Sequence, residues 1–421
     1  MAKRKSKNDS DQTDKPSKRK GAKIDISDLV QTGLREAQTR FGKERCYVAA
    51  AHKLTERGVP IPCLALRELI ESNVWPLSRF TQSGGPFGSY KSSFIFELAR
   101  WYLLNGGWVA GIDTENKVSE SLMWSILPPE FRDPERPDLQ SRVCLLGANT
   151  INEWQQMLTR YVDIIDNTRP NLPQYPGLLY VDSMMGVDCA ESVEKLRANG
   201  EAVGRNFSEA PLLISNFFRT MPSLLTGLPI TIHASHHEKV DLNSPGGNTM
   251  RRAGGVAPDY YATLDLQFKR RAGTTVIGQA AEYEPIPSRP YHARTVVLKV
   301  RKSSMGTDHK QLTTLIKWRF EHSGDTMQQH TWWDWHGASA DLMARRTQQL
   351  EDAGIMDVKQ VKKPGVGSMM FSDALGIKES DAIPADEFGE AMEKHELMPA
   401  INACFGVQQH NVVAEPGNLQ L

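Results

Sequence analysis

Cysteine is scarce in this sequence and shows no pairing pattern. Only five cysteines occur among 421 residues, far apart and without a CxxC spacing: Cys46, Cys63, Cys144, Cys189 and Cys404. This distribution argues against a zinc ribbon and against a disulfide framework. It favours a protein of a reducing compartment, the cytoplasm.

Long hydrophobic runs are also absent. No apolar stretch approaches the roughly 18 residues that a transmembrane helix needs, and the N-terminus lacks the apolar core of a secretory signal. We therefore expect a soluble, cytoplasmic protein with no membrane partner.

The chain has no excess of either charge, since 50 basic residues balance 50 acidic ones. Any affinity for nucleic acid must then come from local clusters. One such cluster is the first 23 residues, with nine basic and three acidic residues and almost no large apolar side chains. We predict a disordered basic tail over residues 1–23, which either contacts nucleic-acid phosphates or only solubilises the chain.

The rest of the chain divides into three parts by composition. Residues 24–76 are expected to form a small N-terminal helical or oligomerisation segment, with helices near 46–57 and 64–72. Residues 77–322 mix helical patterns with apolar segments of strand length: 108–112, 178–181, 229–232, 263–268 and 295–300. This alternation predicts an α/β core with a mostly parallel sheet and a late hairpin.

A smaller C-terminal region is expected over residues 323–421. It contains an aromatic cluster (Trp332, Trp333, Trp335), a helical pattern over 338–353, and a stretch over 378–396 with seven acidic and two basic residues.

A phosphate-binding loop is predicted where a strand gives way to the apolar run 94–104. Backbone N–H groups of such a loop face the phosphates, its lysine (Lys91) reaches the β- and γ-phosphate oxygens, and the next hydroxyl (Ser92) takes Mg²⁺. Tyr90 stands where the usual pattern has glycine, so we expect an unusual backbone conformation there. A chance Gly/Ser turn before a core helix is the alternative. The candidate ATP-binding residues are Gly85, Pro86, Phe87, Gly88, Ser89, Tyr90, Lys91, Ser92 and Ser93.

Acidic residues follow two of the apolar strands. Asp113 and Glu115 follow the first strand, and we predict that Glu115 is the general base that polarises the attacking water. Alternatively, both acids only cap a loop. Asp182 ends the strand 178–181 and is predicted to hold Mg²⁺ together with Ser92.

In this order the motifs GPFGSYKSS, GIDTE, LLYVDS, PITIHAS and VVLKVRKSS resemble those of the RecA family, especially the UvsX-type recombinases of tailed bacteriophages. The resemblance covers roughly residues 79–320. It implies a RecA-like P-loop ATPase core that binds ATP and Mg²⁺. It also implies a DNA-dependent ATPase that forms helical filaments on single-stranded DNA and pairs it with double-stranded DNA in recombination and repair. A recombination mediator and a single-strand-binding protein are expected partners, in the host cytoplasm if a phage encodes the chain.

The family's two DNA-binding loops are expected after successive strands. The first falls at about residues 189–210, with Lys195, Arg197 and Arg205 as candidates. The second falls at about 239–258 and is the sharper signal, because glycines and arginines together suit a loop that orders against phosphates. Its candidates are Gly246, Gly247, Asn248, Arg251 and Arg252. A surface loop with incidental charge is the alternative.

Two further family roles match this sequence only in part. The residue that senses the γ-phosphate falls on His233, Ala234 or Ser235, and the histidines here lack the partners of a metal site. Lys302 matches a lysine that reaches the neighbouring subunit's ATP, whereas Ser304 replaces a second basic residue. Lys302 is alternatively an exposed strand-end lysine.

Two other functions remain open on the sequence. A hexameric RecA-class helicase or motor would share the phosphate loop and both acids. A nucleotide-gated DNA-binding or mediator protein with little hydrolysis would account for Tyr90, Ala234 and Ser304.

Overall fold

A computed structural model gives the fold of most of the chain. It describes residues 26–41, 57–117, 120–168, 175–199, 209–240, 250–252, 257–272, 276–279, 290–306, 309–323, 326–352, 359–363, 367–372, 377–384 and 387–388. The chain divides into two units, Met1–Lys53 and Leu54–Leu421. The predicted basic tail and most of the predicted helix over 46–57 lie outside the described residues.

In the first unit the structure describes one helix, α1 (Ile26–Phe41), which the sequence reasoning did not single out. The second unit contains fifteen described strands and nine described α-helices. The helices are α2 (Leu64–Ile70), α3 (Lys91–Leu104), α4 (Glu120–Trp124), α5 (Pro137–Gln140), α6 (Ile151–Thr168), α7 (Ala190–Asn199), α8 (Glu209–Leu225), α9 (Ala257–Tyr261) and α10 (Trp335–Asp352). Short 3₁₀ turns lie at Pro129–Phe131 and Glu379–Asp381.

The strands are β1 (Gly58–Pro60), β2 (Val74–Pro76), β3 (Arg79–Gly85), β4 (Trp108–Asp113), β5 (Val143–Gly147), β6 (Gly177–Asp182), β7 (Ile230–Val240), β8 (Met250–Arg252), β9 (Leu264–Arg270), β10 (Val276–Gln279), β11 (Pro290–Ser303), β12 (Gln311–Ser323), β13 (Thr326–Trp333), β14 (Lys359–Lys363) and β15 (Gly367–Phe371). All five predicted strands are confirmed.

A large mixed sheet organises the second unit. Nine strands lie in the order β13-β12-β11-β9-β3-β7-β6-β4-β5, while β8 and β10 pair with β7 and β11. The run from β9 to β5 is parallel and the run from β9 to β13 is antiparallel. The chain is thus an α/β protein with a mostly parallel sheet interleaved with helices. The two late strands predicted over 263–268 and 295–300 pair with each other antiparallel, as β9 and β11.

The central strands β4 and β6 are apolar along most of their length because helices cover both faces of the sheet there. Side chains of β6 alternate accordingly. Leu178 and Tyr180 pack into the core that includes α3, whereas Leu179 and Val181 pack into the core that includes α6 and α8. This placement leaves the strand ends free to carry polar groups.

Strand β13 lies in the predicted C-terminal region but continues the large sheet by pairing with β12. The rings of Trp333 on this strand and Trp335 at the start of α10 are stacked, with their centroids 5.2 Å apart. Both lie in the core cluster that includes α3. The aromatic cluster therefore serves packing. Of the described helices, none has the length and apolar character to cross a membrane.

Phe94 links α3, the helix that follows the predicted phosphate loop, to this core. Its ring is fully buried and lies 5.0 Å from that of Phe268 and 6.0 Å from that of Trp333. Phe94→Ala should lower the free energy of unfolding by about 3–5 kcal/mol, because it removes a buried ring and leaves a cavity. Phe87→Ala is the matched control: its ring is 82% exposed, so the cost should stay within about 0.5 kcal/mol. Urea unfolding of both variants tests this, and equal costs would contradict the core assignment.

Candidate nucleotide-binding site

The predicted nucleotide-binding and magnesium-binding residues and Glu115 meet at one edge of the parallel sheet. Asp113 at the end of β4 pairs in register with Asp182 at the end of β6, and Gly85 at the end of β3 pairs with His237 on β7. Since these strands are parallel, their carboxyl ends open on the same side, where ligands of open α/β sheets bind.

The loop that follows β3 has the backbone that a phosphate cradle needs. A Cβ atom at Gly85 would lie 2.3 Å from the carbonyl oxygen of Phe268, so glycine is required by close approach. Tyr90 has φ 68° and ψ 25°, the left-handed region that glycine normally occupies. The expectation of an unusual backbone at Tyr90 is confirmed. Helix α3 begins immediately afterwards, at Lys91.

Lys91 is buried within the loop. Its Nζ donates to the carbonyl oxygens of Gly85 and Pro86, each at 3.0 Å, and lies 3.4 Å from the Ser89 hydroxyl. Burial lowers the pKa of Lys91, and nearby carboxylates, Asp182 foremost, oppose that shift. Lys91 thus places its ammonium group beside the N-terminus of α3. Both the lysine and the helix N-terminus favour the binding of an anion there.

Ser92 and Asp182, the two predicted magnesium ligands, contact one another. Burial raises the pKa of Asp182, while hydrogen bonds from the Ser235 and Ser92 hydroxyls oppose the shift. Oxygen ligands of this kind, completed by phosphates and water, suit Mg²⁺. Within the described ranges no three His, Cys, Asp or Glu side chains gather as a metal site of their own.

Glu115 is engaged on both carboxylate oxygens. Oε1 accepts from the Ser183 hydroxyl at 2.7 Å and lies 2.5 Å from His237 Nε2, and Oε2 lies 3.1 Å from Lys117 Nζ. Burial alone would raise the pKa of this carboxyl. The hydrogen bonds from Ser183, Lys117 and His237 outweigh it and lower the pKa to about 2. Glu115 is therefore ionised at neutral pH.

The three candidates for the γ-phosphate sensor lie in different environments. His233 is fully buried between the hydroxyls of Thr81 and Ser83, at 2.9 and 3.1 Å, and burial lowers its pKa to about 3. Ala234 packs in the core that includes α6 and α8. Ser235 donates to Asp182, so it is the one of the three that contacts a predicted site residue.

The sequence reasoning missed His237. The predicted strand ends at residue 232, but β7 runs to Val240 and carries His233, Ser235 and His237 on one face by the two-residue period of a strand. Extending the strand by that period through the polar residues would have placed His237 at the sheet edge.

A cavity of about 310 Å³ lies at this edge. Its lining combines residues of the predicted phosphate loop with three acidic residues and two lysines. The lining residues are Phe87, Gly88, Ser89, Tyr90, Lys91, Ser92, Ser93, Phe96, Asp113, Glu115, Lys117, Leu122, Asp182 and His237.

The first predicted DNA-binding segment, residues 189–210, is helical over α7 (Ala190–Asn199), and its DNA contacts stay a prediction. Lys195 and Arg197 lie on helix α7, where Lys195 pairs with Glu191 at 2.6 Å. The charged residues here were read as those of a DNA-binding loop. Lys195 and Glu191 are four residues apart, and a pair at this spacing stabilises a helix. Arg205 lies outside the described residues.

The second predicted loop, residues 239–258, contains the short strand β8. Arg251 and Arg252 lie on β8, which pairs antiparallel with β7 so that Arg252 stands opposite Glu238. Gly246, Gly247 and Asn248 lie outside the described residues. The glycine-rich segment, residues 241–249, thus joins β7, which carries His237, to β8.

Lys302 contacts its own subunit. Its Nζ donates to the carbonyl oxygens of Asp259 and Tyr260 in α9, at 2.8 and 2.6 Å. Its neighbour Arg301, which the sequence reasoning passed over, donates to the buried Glu238 at 2.7 Å. The family resemblance singled out Lys302 and gave no role to Arg301.

Comparison with known proteins leaves the site to be judged on its geometry, since no family model and no curated protein matched this chain.

Proposed function

We propose that this protein is an ATPase of the RecA class that polymerises on single-stranded DNA and promotes strand exchange with double-stranded DNA. The observation that carries the proposal is the convergence of Lys91, the Ser92–Asp182 pair and Glu115 around one cavity at the carboxyl edge of a parallel sheet. Each of these groups has a separate task in phosphoryl transfer.

The loop and the first turn of α3 would hold the phosphates through backbone N–H groups. Lys91 would exchange its carbonyl partners for β- and γ-phosphate oxygens. Ser92 and Asp182 would hold Mg²⁺, which neutralises phosphate charge when bound. Glu115 would orient the water that attacks the γ-phosphate in line.

Coupling to DNA is supported by the position of His237. It contacts Glu115 and lies on β7, which β8 and the glycine-rich segment follow. A segment that orders against DNA would shift β7 and with it the hydrogen bond on Glu115 Oε1. In this proposal His237, together with Ser235, takes the γ-phosphate-sensing role expected for residues 233–235.

Assembly into a filament, with a mediator and a single-strand-binding protein as partners, remains part of the proposal. Lys302 would reach the ATP of a neighbouring subunit only by leaving the carbonyl oxygens of Asp259 and Tyr260.

A second candidate is a nucleotide-gated DNA-binding protein with little hydrolysis. It is favoured by Glu115, whose oxygens are both engaged and whose pKa is lowered to about 2, because a weakly basic carboxylate accepts a proton poorly. ATP turnover measured with and without single-stranded DNA separates the two. The recombinase predicts strong stimulation by DNA, and turnover near background in both conditions would favour the second candidate.

Replacing Arg251 and Arg252 together by alanine should weaken single-stranded DNA binding. Loss of up to two phosphate contacts should lower the slope of log affinity against log salt by about 0.7 per contact. Fluorescence anisotropy at several salt concentrations measures the slope.

The control for this pair is Arg132→Ala with Arg136→Ala, two exposed arginines of the segment between β4 and β5. Their loss should leave the slope unchanged. Equal slopes for the Arg251/Arg252 variant and the wild type would show that these arginines do not touch the DNA backbone.

A further inference from the structure

Lys117 stands at the mouth of the candidate site. Its Nζ lies 3.1 Å from Glu115 Oε2 and 5.9 Å from the ring centroid of Phe87, and its side chain is 67% exposed. Phe87 forms the exposed tip of the phosphate loop. The ammonium group therefore bridges the two sides of the opening, between the loop and the predicted base.

The same lysine also borders a second space. A neighbouring cavity of about 510 Å³ shares Phe87, Glu115, Lys117 and His237 with the first. Lys117 and Glu115 thus lie where the two volumes meet, and a rotation of the lysine stem moves its charge between them.

The charge of the site favours a further cation beside Lys91 and the Mg²⁺ proposed above. The described lining of the 310 Å³ cavity contains three carboxylates, on Asp113, Glu115 and Asp182, against two lysines, Lys91 and Lys117. A triphosphate adds further negative charge close to Glu115. Lys91 is buried in the loop, so Lys117 is the lysine of this lining with an exposed, movable ammonium group.

The present contacts of Lys117 are of a kind that a phosphate displaces. In both contacts Lys117 is held from the solvent side: its own side chain is 67% exposed, against 15% for Glu115, and the Phe87 ring is 82% exposed. A solvent-facing lysine gains little stability from such contacts. A phosphate carries more charge than a carboxylate and attracts the ammonium group more strongly. Once Lys117 leaves, Glu115 Oε2 is available to a water molecule.

We propose that Lys117 binds the γ-phosphate of ATP within its own subunit, exchanging Glu115 for the phosphate and so freeing the carboxylate to orient the attacking water. This assignment rests on the proposed ATPase function. ADP, which has no γ-phosphate, leaves the Lys117–Glu115 pair intact. The exchange thus makes release of the base depend on the substrate itself.

The test compares Lys117→Ala, Lys117→Arg and a matched control. Lys117→Ala should bind ADP with unchanged affinity, bind a non-hydrolysable ATP analogue about tenfold more weakly, and lower kcat about tenfold to a hundredfold. Lys117→Arg should recover most of both losses because it keeps the cation. Arg136→Ala is the control, since it removes an exposed cation from a pair of the same 3.1 Å separation with Asp138; it should behave as wild type.

A mixing experiment tests whether the lysine acts in its own subunit. Lys117→Ala mixed with Lys91→Ala should show no recovery of turnover in mixtures shown to co-assemble, because no subunit then contains both lysines. Recovery would overturn the own-subunit assignment. A kcat at or above the wild-type value in Lys117→Ala, with unchanged preference for the ATP analogue over ADP, would overturn the proposal itself.

The affinity measurements test the role of Lys117 independently of the proposed recombinase function. If the wild-type protein bound ATP without hydrolysing it, the recombinase would fail, yet the ratio of analogue to ADP affinity in Lys117→Ala would still decide the role of the lysine.

Discussion

Lys91→Ala should lower ATP turnover by about a hundredfold to a thousandfold and should weaken nucleotide binding. The variant removes the positive charge that the loop stores against the carbonyl oxygens of Gly85 and Pro86, and with it a donor to the β- and γ-phosphate oxygens. Turnover assays and equilibrium titration with a fluorescent ATP analogue measure the two effects.

Two controls accompany this variant. Thermal unfolding shows whether loss of the buried lysine disturbs the fold, and Lys378→Ala removes an exposed lysine that should leave turnover unchanged. Wild-type turnover in correctly folded Lys91→Ala would overturn the phosphate-loop assignment.

Glu115→Gln should slow hydrolysis by about a hundredfold or more and leave nucleotide affinity nearly unchanged. The amide keeps the shape of the side chain but cannot polarise the attacking water as a carboxylate does. Single-turnover hydrolysis of pre-bound ATP measures this step separately from binding.

Asp138→Asn is the matched control for the loss of a carboxylate, since Asp138 is exposed and pairs with Arg136 away from the site cavity. It should hydrolyse ATP at the wild-type rate. A normal single-turnover rate in Glu115→Gln would mean that a different group orients the water.

The sequence predicted the parts of the site that depend on local patterns. Apolar runs of strand length predicted β4 and β6, whose burial on both faces requires such runs. The acids Asp113 and Asp182 could then be placed at the sheet edge. The phosphate loop was predicted from the spacing of its glycines and lysine, and Tyr90 was expected to have an unusual backbone, which is the left-handed one.

Other parts depend on contacts distant in sequence, which apolar runs alone do not indicate. Strand β7 continues through His233 and Ser235 because neighbours supply partners for these polar side chains, such as the Thr81 and Ser83 hydroxyls for His233. His237 was therefore missed. For the same reason the partners of Lys302, two carbonyl oxygens of α9, were not foreseen.

The most direct test of the central proposal is electron microscopy of the full chain with single-stranded DNA and a non-hydrolysable ATP analogue. We predict helical filaments that require both ligands and that are lost in Lys91→Ala. Closed hexameric rings under the same conditions would contradict the recombinase and indicate a motor, and isolated subunits on the DNA would contradict assembly altogether.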